Sequence, residues 1–296
     1  MAPSFSLPAP AKINLLLHIT GKRPDGYHQL QTLFQFLDLH DELHFQLNNC
    51  GSINLYPQIK GVATEDNLIM RAARLLEPFR NTPNLGAEIN LQKKLPMGGG
   101  LGAGSSDAAT TLLALNQLWQ LELNLTQLAE LGLQLGADVP VFIFGQTAWA
   151  EGIGEKLTAA TAEEAFYLLI FPGCHCDTAK LFSHPDLPRS TPLIHPNKAE
   201  QHLGENDFEP LVRQLYPAVE AAFTWLLAEK QQPFLTGSGA CVYCKVSSQE
   251  QANTLLNKLP GNFAGFKPQA WVTKSCNKSL AHVKLIADKG SLFNSA

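Results

Sequence analysis

A mixed α+β fold in two domains is what the sequence predicts, on three observations. The chain has 296 residues, and at ~150 residues per domain that suggests two domains. Strand-like and helix-like runs mix in both halves. A dense glycine cluster at 98–104 lies between a strand-like run and a helix-like one. The boundary is placed near 155–160, which gives domains at 1–157 and 158–296.

The elements follow in order. Residues 11–19 are an apolar, β-like run ending at Gly21, and in strand alternation Lys12, Asn14 and Leu16 share one face. Residues 22–28 form a turn, because Pro-Asp-Gly sets the backbone for a reversal. Two strands are predicted at 31–39 and 42–47. Asp66 is the expected cap of a helix with Leu68, Ile69, Ala72, Leu75 and Leu76 as its apolar face, with Pro78 near its end. A strand near 87–92 leads into the glycine cluster. Helices are predicted from about Ser106 to Trp119 and from about Thr126 to Leu135, the second stopping at Gly136. Strands are expected at 146–150 and 166–171. The stretch 183–196 holds four prolines without periodicity and is expected to be a loop. A helix at 210–229, a strand at 240–247, a helix at 248–258 and a strand at 268–273 complete the reading.

Composition removes several classes. Apolar residues make 45% and charged residues 16%, which is a globular balance and not a disordered one. A chain of this length buries roughly three quarters of its unfolded surface, so it needs no disulfide or metal staple. The net charge is −4, so no basic face of the kind a nucleic-acid binder carries is expected. A few local Lys and Arg still suffice for a small anion. No apolar run approaches ~18 residues, so no membrane span is expected. The N-terminus lacks the basic start of an export signal. Six cysteines without such a signal read as reduced thiols, and a cytoplasmic protein is expected.

Residues 96–107 read Pro-Met-Gly-Gly-Gly-Leu-Gly-Ala-Gly-Ser-Ser-Asp. Five glycines in seven positions are costly in backbone entropy, so they are not filler. They let backbone amides turn toward one bulky anion, and the helix that follows adds a positive dipole end. Together they suit a polyphosphate. Ser105 or Ser106 is expected to cap that helix, and a hydroxyl there can reach a metal held on phosphates. No Gly-Lys-Ser/Thr follows, so this is not a Walker A loop. A dinucleotide fingerprint can be forced as Gly98, Gly100 and Ala103, which alone is a weak signal.

Lys12 and Asn14 interrupt an apolar run, which fits either a solvated edge strand or a polar site. Asp138, before Val139-Pro140, suits a helix N-cap. Next to a lysine it would also be a well-held carboxylate. At ~4 Å and an effective dielectric near 20 such a pair interacts by ~4 kcal/mol. It would orient a hydroxyl more than deprotonate it. Phosphoryl transfer tolerates this, because positioning and charge neutralisation dominate it. Tyr27 and His28 after the turn fit either a plug beneath it or a stacking site for a base. Cys241 and Cys244 with Cys174-His-Cys176 imitate a zinc site. The strand-like setting of 241–244 puts its two cysteines on opposite faces, so they read as packing. Residues 236–240, Thr-Gly-Ser-Gly-Ala, form a second small-residue loop.

These motifs carry a resemblance. Pro96-x3-Gly-Leu-Gly-x-Gly-Ser-Ser106 resembles the phosphate loop of the GHMP kinases, and Thr236–Ala240 resembles that superfamily's C-terminal motif. Pro10-Ala-Lys-Ile-Asn-Leu15, Arg23-Pro-Asp-Gly-Tyr-His28 and Leu135-Gly-Ala-Asp-Val-Pro-Val-Phe142 narrow it to one branch. That branch phosphorylates a methylerythritol unit carried on cytidine diphosphate, in the non-mevalonate isoprenoid pathway. The likeness runs from about residue 8 to about 282 and is strongest before 155. It implies an α+β two-domain GHMP kinase fold, with an N-terminal ribosomal-protein-S5-like domain and a C-terminal ferredoxin-like domain.

By matching position, the resemblance implies that Lys12 and Asp138 are the catalytic pair. Asn14 would hold the erythritol hydroxyls. Tyr27 and Phe182 would sandwich the cytosine, with His28 reading its edge and Thr178 nearby. Pro96, Met97, Gly98, Gly99, Gly100, Leu101, Gly102, Ala103, Gly104, Ser105 and Ser106 would cradle the ATP phosphates. Asn67 and Lys93 would lie near the adenosine, and Ser106 would ligate Mg2+. The expected partners are ATP and the cytidine diphosphate conjugate, with neither nucleic acid nor membrane, and the chain as a monomer or weak homodimer. Ala103 departs from a glycine found in some relatives, the tail after Lys274 matches poorly, and no acidic partner for magnesium is evident. Two rival functions are a non-catalytic nucleotide sensor of the same fold and a dinucleotide oxidoreductase. The second needs an acidic residue about twenty positions past the fingerprint, and Glu122 is near that spacing.

Overall fold

The computed structural model describes residues 2–59 and 61–292. The N-terminal half is built on two long antiparallel strands, β1 (Ser4–Lys22) and β2 (His28–Asn48). The turn between them closes as expected, with Gly26 N donating to Arg23 O and Asp25 Oδ1 accepting from Tyr27 N. No break separates 31–39 from 42–47. Asp41 is fully buried inside the strand and accepts from Lys94 N and Leu95 N, so a polar residue that reads as an interruption is satisfied by another segment.

Three irregularities interrupt the β1–β2 register, one of them at Thr20 near the end of β1, and the other two shape the cleft. Opposite Pro10–Lys12, β2 advances from His40 to Phe36, and at Leu15 one extra residue enters β1, since Asn14 faces Phe34 and Leu16 faces Leu33. A bulge shifts the side-chain alternation after it. Leu17, not the expected Leu16, therefore joins Lys12 and Asn14 in lining the cleft, while Leu16 packs with Ile13 and Leu15.

Next come the short β3 (Ile53–Tyr56), α1 (Leu68–Leu76) and β4 (Gly86–Gln92). Asn67 caps α1, accepting from Ile69 N at 2.9 Å, so the cap lies one residue after the expected Asp66. β3 runs parallel to β4, which pairs with the far end of β2. The glycine loop then enters α2 (Ala103–Leu118), and α3 (Leu125–Leu133) and α4 (Val139–Phe144) follow. α3 starts on a reciprocal capping box between Asn124 and Gln127. α1 to α4 bury their apolar faces, among them Ile69, Leu112, Leu115 and Ile143, against Phe36 and Phe45 of the sheet.

β5 (Ala148–Gly152) pairs with the start of β2 and with β6 (Lys156–Ala159), a strand too polar to register as one in the sequence. In the C-terminal half β7 (Phe166–Phe171) is followed by α5 (Thr178–Ser183), α6 (Glu209–Leu215) and α7 (Pro217–Ala228). The helix expected over 210–229 is therefore two helices. Tyr216, forced extended by the following Pro217, breaks it at φ −121°, ψ 91°. Then come β8 (Phe234–Leu235), β9 (Val242–Val246), α8 (Gln249–Asn257), β10 (Gln269–Cys276) and α9 (Leu280–Leu292). The order β10-β7-β9-β8, with each neighbouring pair antiparallel, is the ferredoxin-like arrangement.

The halves are joined through β10, whose Ser275 and Cys276 pair with Leu37 and Phe36 of β2. A third apolar cluster, with Ile13, Leu16, Leu169, Trp149 and Tyr243, fills the space between the two main cores. Among the described residues no helix is long and apolar enough to cross a membrane.

Candidate active site

The cleft between the halves holds two cavities. One of about 560 Å³ is lined by Lys12, Asn14, Tyr27, His28, Asp138, Thr178 and Phe182, so the structure brings together these residues from four separate segments. The other, of about 330 Å³, is lined by the glycine loop with Asn67 and Lys93. Ser105 lines both, and marks where they meet.

Lys12 is 2% exposed, so it is not a solvated edge lysine. Its Nζ lies 3.3 Å from Asp138 Oδ2, donates to Asn14 Oδ1 at 2.7 Å and sits 5.1 Å from the centre of the Phe34 ring. A buried ammonium needs such partners, because an unpaired one is strongly penalised. Asp138 occupies the N-cap position of α4 but makes no capping bond. Its helical backbone, φ −83°, ψ −13°, is not the extended geometry of a side-chain cap. The carboxylate is left half-open in the cleft beside Lys12.

Asn14 is held from three sides. Its Nδ2 donates to Thr32 Oγ1 at 2.8 Å, its backbone N to Thr236 Oγ1 at 3.1 Å, and its carbonyl accepts from Tyr243 OH at 2.9 Å. Thr236 Oγ1 in turn donates to Gly100 O at 3.3 Å, so the second small-residue loop lies against the glycine loop. A Cβ on Gly100 would fall 2.2 Å from Thr236 O, at a φ of +76°. Only glycine permits that approach.

Gly102, at φ +70°, is the N-cap of α2, and α2 begins at Ala103. Neither Ser105 nor Ser106 caps it, contrary to expectation, because both lie inside the first turn; Ser106 N already bonds Gly102 O. Ser106 is fully buried and its Oγ has no partner. Leu101 is buried and its carbonyl accepts from Lys12 N, which ties the loop to β1. Pro96, Met97, Gly98, Gly99, Gly100, Gly102, Ala103, Gly104 and Ser105 line the second cavity.

Lys93 bridges two carboxylates, Asp41 and Asp107, the latter at 2.9 Å. Burial opposes its charge, but the two acids outweigh this and raise the ammonium's pKa. One lysine cannot neutralise both. Burial, aided by nearby Asp41 and opposed by Lys93, pushes Asp107 up to about 7. Asp107 Oδ1 is without a partner, whereas Asp41 accepts from two backbone amides, so the extra proton resides on Asp107.

At the other end, Phe182 and Thr178 stand one helical turn apart on α5, a helix the sequence reading missed. Thr178 Oγ1 bonds Ser238 Oγ at 2.7 Å. His28 stacks on Phe182, with ring centres 4.8 Å apart and 21° between planes, while Tyr27 is 60% exposed at the rim. Sequence reasoning also missed Arg189. It donates to His28 Nε2 at 3.2 Å and to the carbonyls of Phe182, His184, Pro185 and Leu187. Burial, then Arg189, then Lys22 lower the His28 pKa. Arg189 lies in the Pro-rich stretch with no periodicity, so nothing local marks it.

The zinc-like cysteines are free, and Cys241 and Cys244 pack into different cores. The dinucleotide reading fails as well. Glu122 has φ +57° in the α2–α3 connection and does not end a strand.

Comparison with known proteins gives the family. Residues 67–146 match the GHMP kinases N terminal domain and residues 193–265 the GHMP kinases C terminal family. The 4-diphosphocytidyl-2-C-methyl-D-erythritol kinase of Pseudoalteromonas translucida (strain TAC 125) is 50% identical over 285 residues, 96% of this chain and 97% of its own. That of Chromohalobacter salexigens is 50% identical, covering 94% of this chain and 93% of its own. A crystal structure of 4-(cytidine 5'-diphospho)-2C-methyl-D-erythritol kinase superposes with a TM-score of 0.76 at 31% identity, over 92% of this chain and 99% of that one. Near-complete coverage at half identity places the chain in the 4-diphosphocytidyl-2-C-methyl-D-erythritol kinase family of the GHMP kinases.

Proposed function

We propose that this chain transfers the γ-phosphoryl group of ATP to the 2-hydroxyl of 4-diphosphocytidyl-2-C-methyl-D-erythritol, a cytoplasmic step of the non-mevalonate route to isoprenoid precursors. The observation that carries the mechanism is the pair of buried Lys12 and half-exposed Asp138, which lines the larger of the two adjoining cavities. ATP occupies the smaller cavity, its adenosine toward Asn67 and Lys93 and its phosphates over residues 96–106. The cytidine conjugate occupies the larger one, its cytosine near Tyr27, His28 and Phe182.

In this reading Asn14 holds the erythritol hydroxyls, and Asp138 orients the attacking one and accepts its proton. Lys12 holds Asp138 in place and offsets charge that spreads over the transferred group. Little covalent work falls to the protein in such a step; positioning and charge neutralisation carry it. The amides of the glycine loop and the N-terminus of α2 bind the phosphates. Ser106 Oγ fits a Mg2+ ligand, being a buried hydroxyl oxygen with no other partner. Bound there, Mg2+ would neutralise phosphate charge.

Incubation of the chain with ATP and the cytidine conjugate tests the assignment. One phosphomonoester at the methylerythritol 2-position, seen by 31P NMR, is expected. Turnover of ATP without that product, or equal turnover of mevalonate or homoserine, would overturn it.

A further inference from the structure

A second polar cluster lies outside the cleft. It comprises His18 of β1 with His202 and Glu205 of the segment before α6, and none of the three lines either cavity. The backbone arranges this convergence. Leu17 N donates to Glu205 O at 2.8 Å, Asp207 N to Leu17 O at 3.0 Å, and Gly204 N to Leu15 O at 2.7 Å. The 204–207 segment is thus laid along β1 as a short strand-like strip. A turn bond from Glu205 N to His202 O brings His202 back over the same spot.

The side chains then meet. His18 Nε2 is 2.8 Å from Glu205 Oε2, and His202 Nδ1 is 3.0 Å from both oxygens of that carboxylate. The two imidazoles stand edge to face at 84°. One ligand atom from each residue lies within 4.8 Å of the other two. We infer that His18, His202 and Glu205 form a binding site for a divalent transition metal of the zinc type.

The chemistry favours that class of ion. Two imidazole nitrogens and one carboxylate are a zinc-type donor set, whereas Mg2+ prefers oxygen and water. Zinc bonds of ~2.0–2.2 Å in a tetrahedron put ligand atoms about 3.3 Å apart. The present nitrogen–oxygen spacings, 2.8 Å for His18 and 3.0 Å for His202, lie close to this. His18 is 2% exposed and forms a dry back wall, while Glu205 is half-exposed and leaves an entrance.

The clamp reaches the cleft through its sequence neighbours, Leu17, which lines the larger cavity, and Asn206. Asn206, next to Glu205, donates to Leu235 O at 3.0 Å and Gly237 O at 2.9 Å, and so supports the loop that carries Thr236. A metal here fastens that support to β1. It stiffens the scaffold and takes no part in the transfer.

The test uses the full-length chain, freed of metal by chelator and held in excess Mg2+. Co2+ titration is expected to saturate at one equivalent with the visible bands of a tetrahedral site, and Zn2+ is expected to displace it. Zn2+ should also raise Tm by several degrees, as any ligand of the native state does. His202→Ala and Glu205→Gln lie on the exposed side, so both variants should fold and keep kcat, yet bind Co2+ at least tenfold more weakly. No saturable band near one equivalent overturns the site, as does unchanged Co2+ affinity in both variants.

Discussion

Arg189 Nε donates to His28 Nε2, so the imidazole that stacks on Phe182 is an acceptor toward the guanidinium and carries its proton on Nδ1. The same guanidinium gathers four carbonyls of the segment 182–187. Arg189 therefore both shapes the wall behind Phe182 and sets the tautomer of His28. With His28 and Phe182 at the proposed cytidine subsite, Arg189 would be a positioning residue, since it acts through its neighbours.

Arg189→Gln should accordingly raise KM for the cytidine conjugate by about tenfold, while kcat and the KM for ATP change little. The pH profile distinguishes this from simple loosening. Burial, Arg189 and Lys22 depress the His28 pKa in the native chain, so the ring stays neutral to lower pH. Loss of Arg189 removes one of those causes, and the acid limb of kcat/KM for the conjugate should move to higher pH. An unmoved limb with an unchanged KM would remove the role.

Asp138→Asn preserves the size of the side chain and removes its charge. Turnover should fall by ~10²–10⁴-fold, the usual worth of a positioned acid–base group, with ATP affinity retained by calorimetry. The buried Lys12 would then face an amide, and a modest loss of Tm is expected too. Near-normal turnover would exclude Asp138 from the transfer step.

Gly100→Ala places a methyl group 2.2 Å from the Thr236 carbonyl, at a φ where a side chain also costs ~1–2 kcal/mol. Backbone cannot yield as a flexible side chain would, so the two loops must separate. The expected result is at least a tenfold weaker affinity for ATP, measured by calorimetry, together with a lower Tm. Native affinity in this variant would show that the contact of the loops does not shape the nucleotide cavity.

Asp107 makes a signed prediction about stability. Its pKa in the folded chain is about 7, against 3.8 for the free side chain, so the folded state holds the extra proton. That contribution is complete below about 4 and is lost as pH rises through about 7. Asp107→Asn cannot lose it. Melting curves should show the variant gaining on the native chain across that window, by a few degrees in Tm above pH 7. Parallel Tm-against-pH curves would mean that Asp107 is not protonated in the fold.

The residues whose role depends on near neighbours were legible in the sequence. The glycine loop, the turn at Pro24-Asp25-Gly26 and most helices were visible because turn chemistry and apolar spacing act within a few positions. Even so, local reading misplaced the caps of α1 and α2 and cut β2 at Asp41. A buried Asp that pairs with Lys93 looks, along the chain, like a loop residue. The helix α5 escaped because six residues are too few to display periodicity. The bulge at Leu15 changed which leucine faces the cleft, and a bulge is set by strand pairing.

By itself the sequence determined the chemistry on offer: amides free to turn toward phosphate, a lysine and an asparagine on one strand face, and an aspartate before a proline-led helix. Tertiary structure alone decided that Lys12 meets Asp138, that Thr236 closes on Gly100, and that Arg189 reaches His28. Side-chain type is inherited residue by residue, whereas the meeting of distant groups depends on the register, bulges and shared core that fold the two halves together.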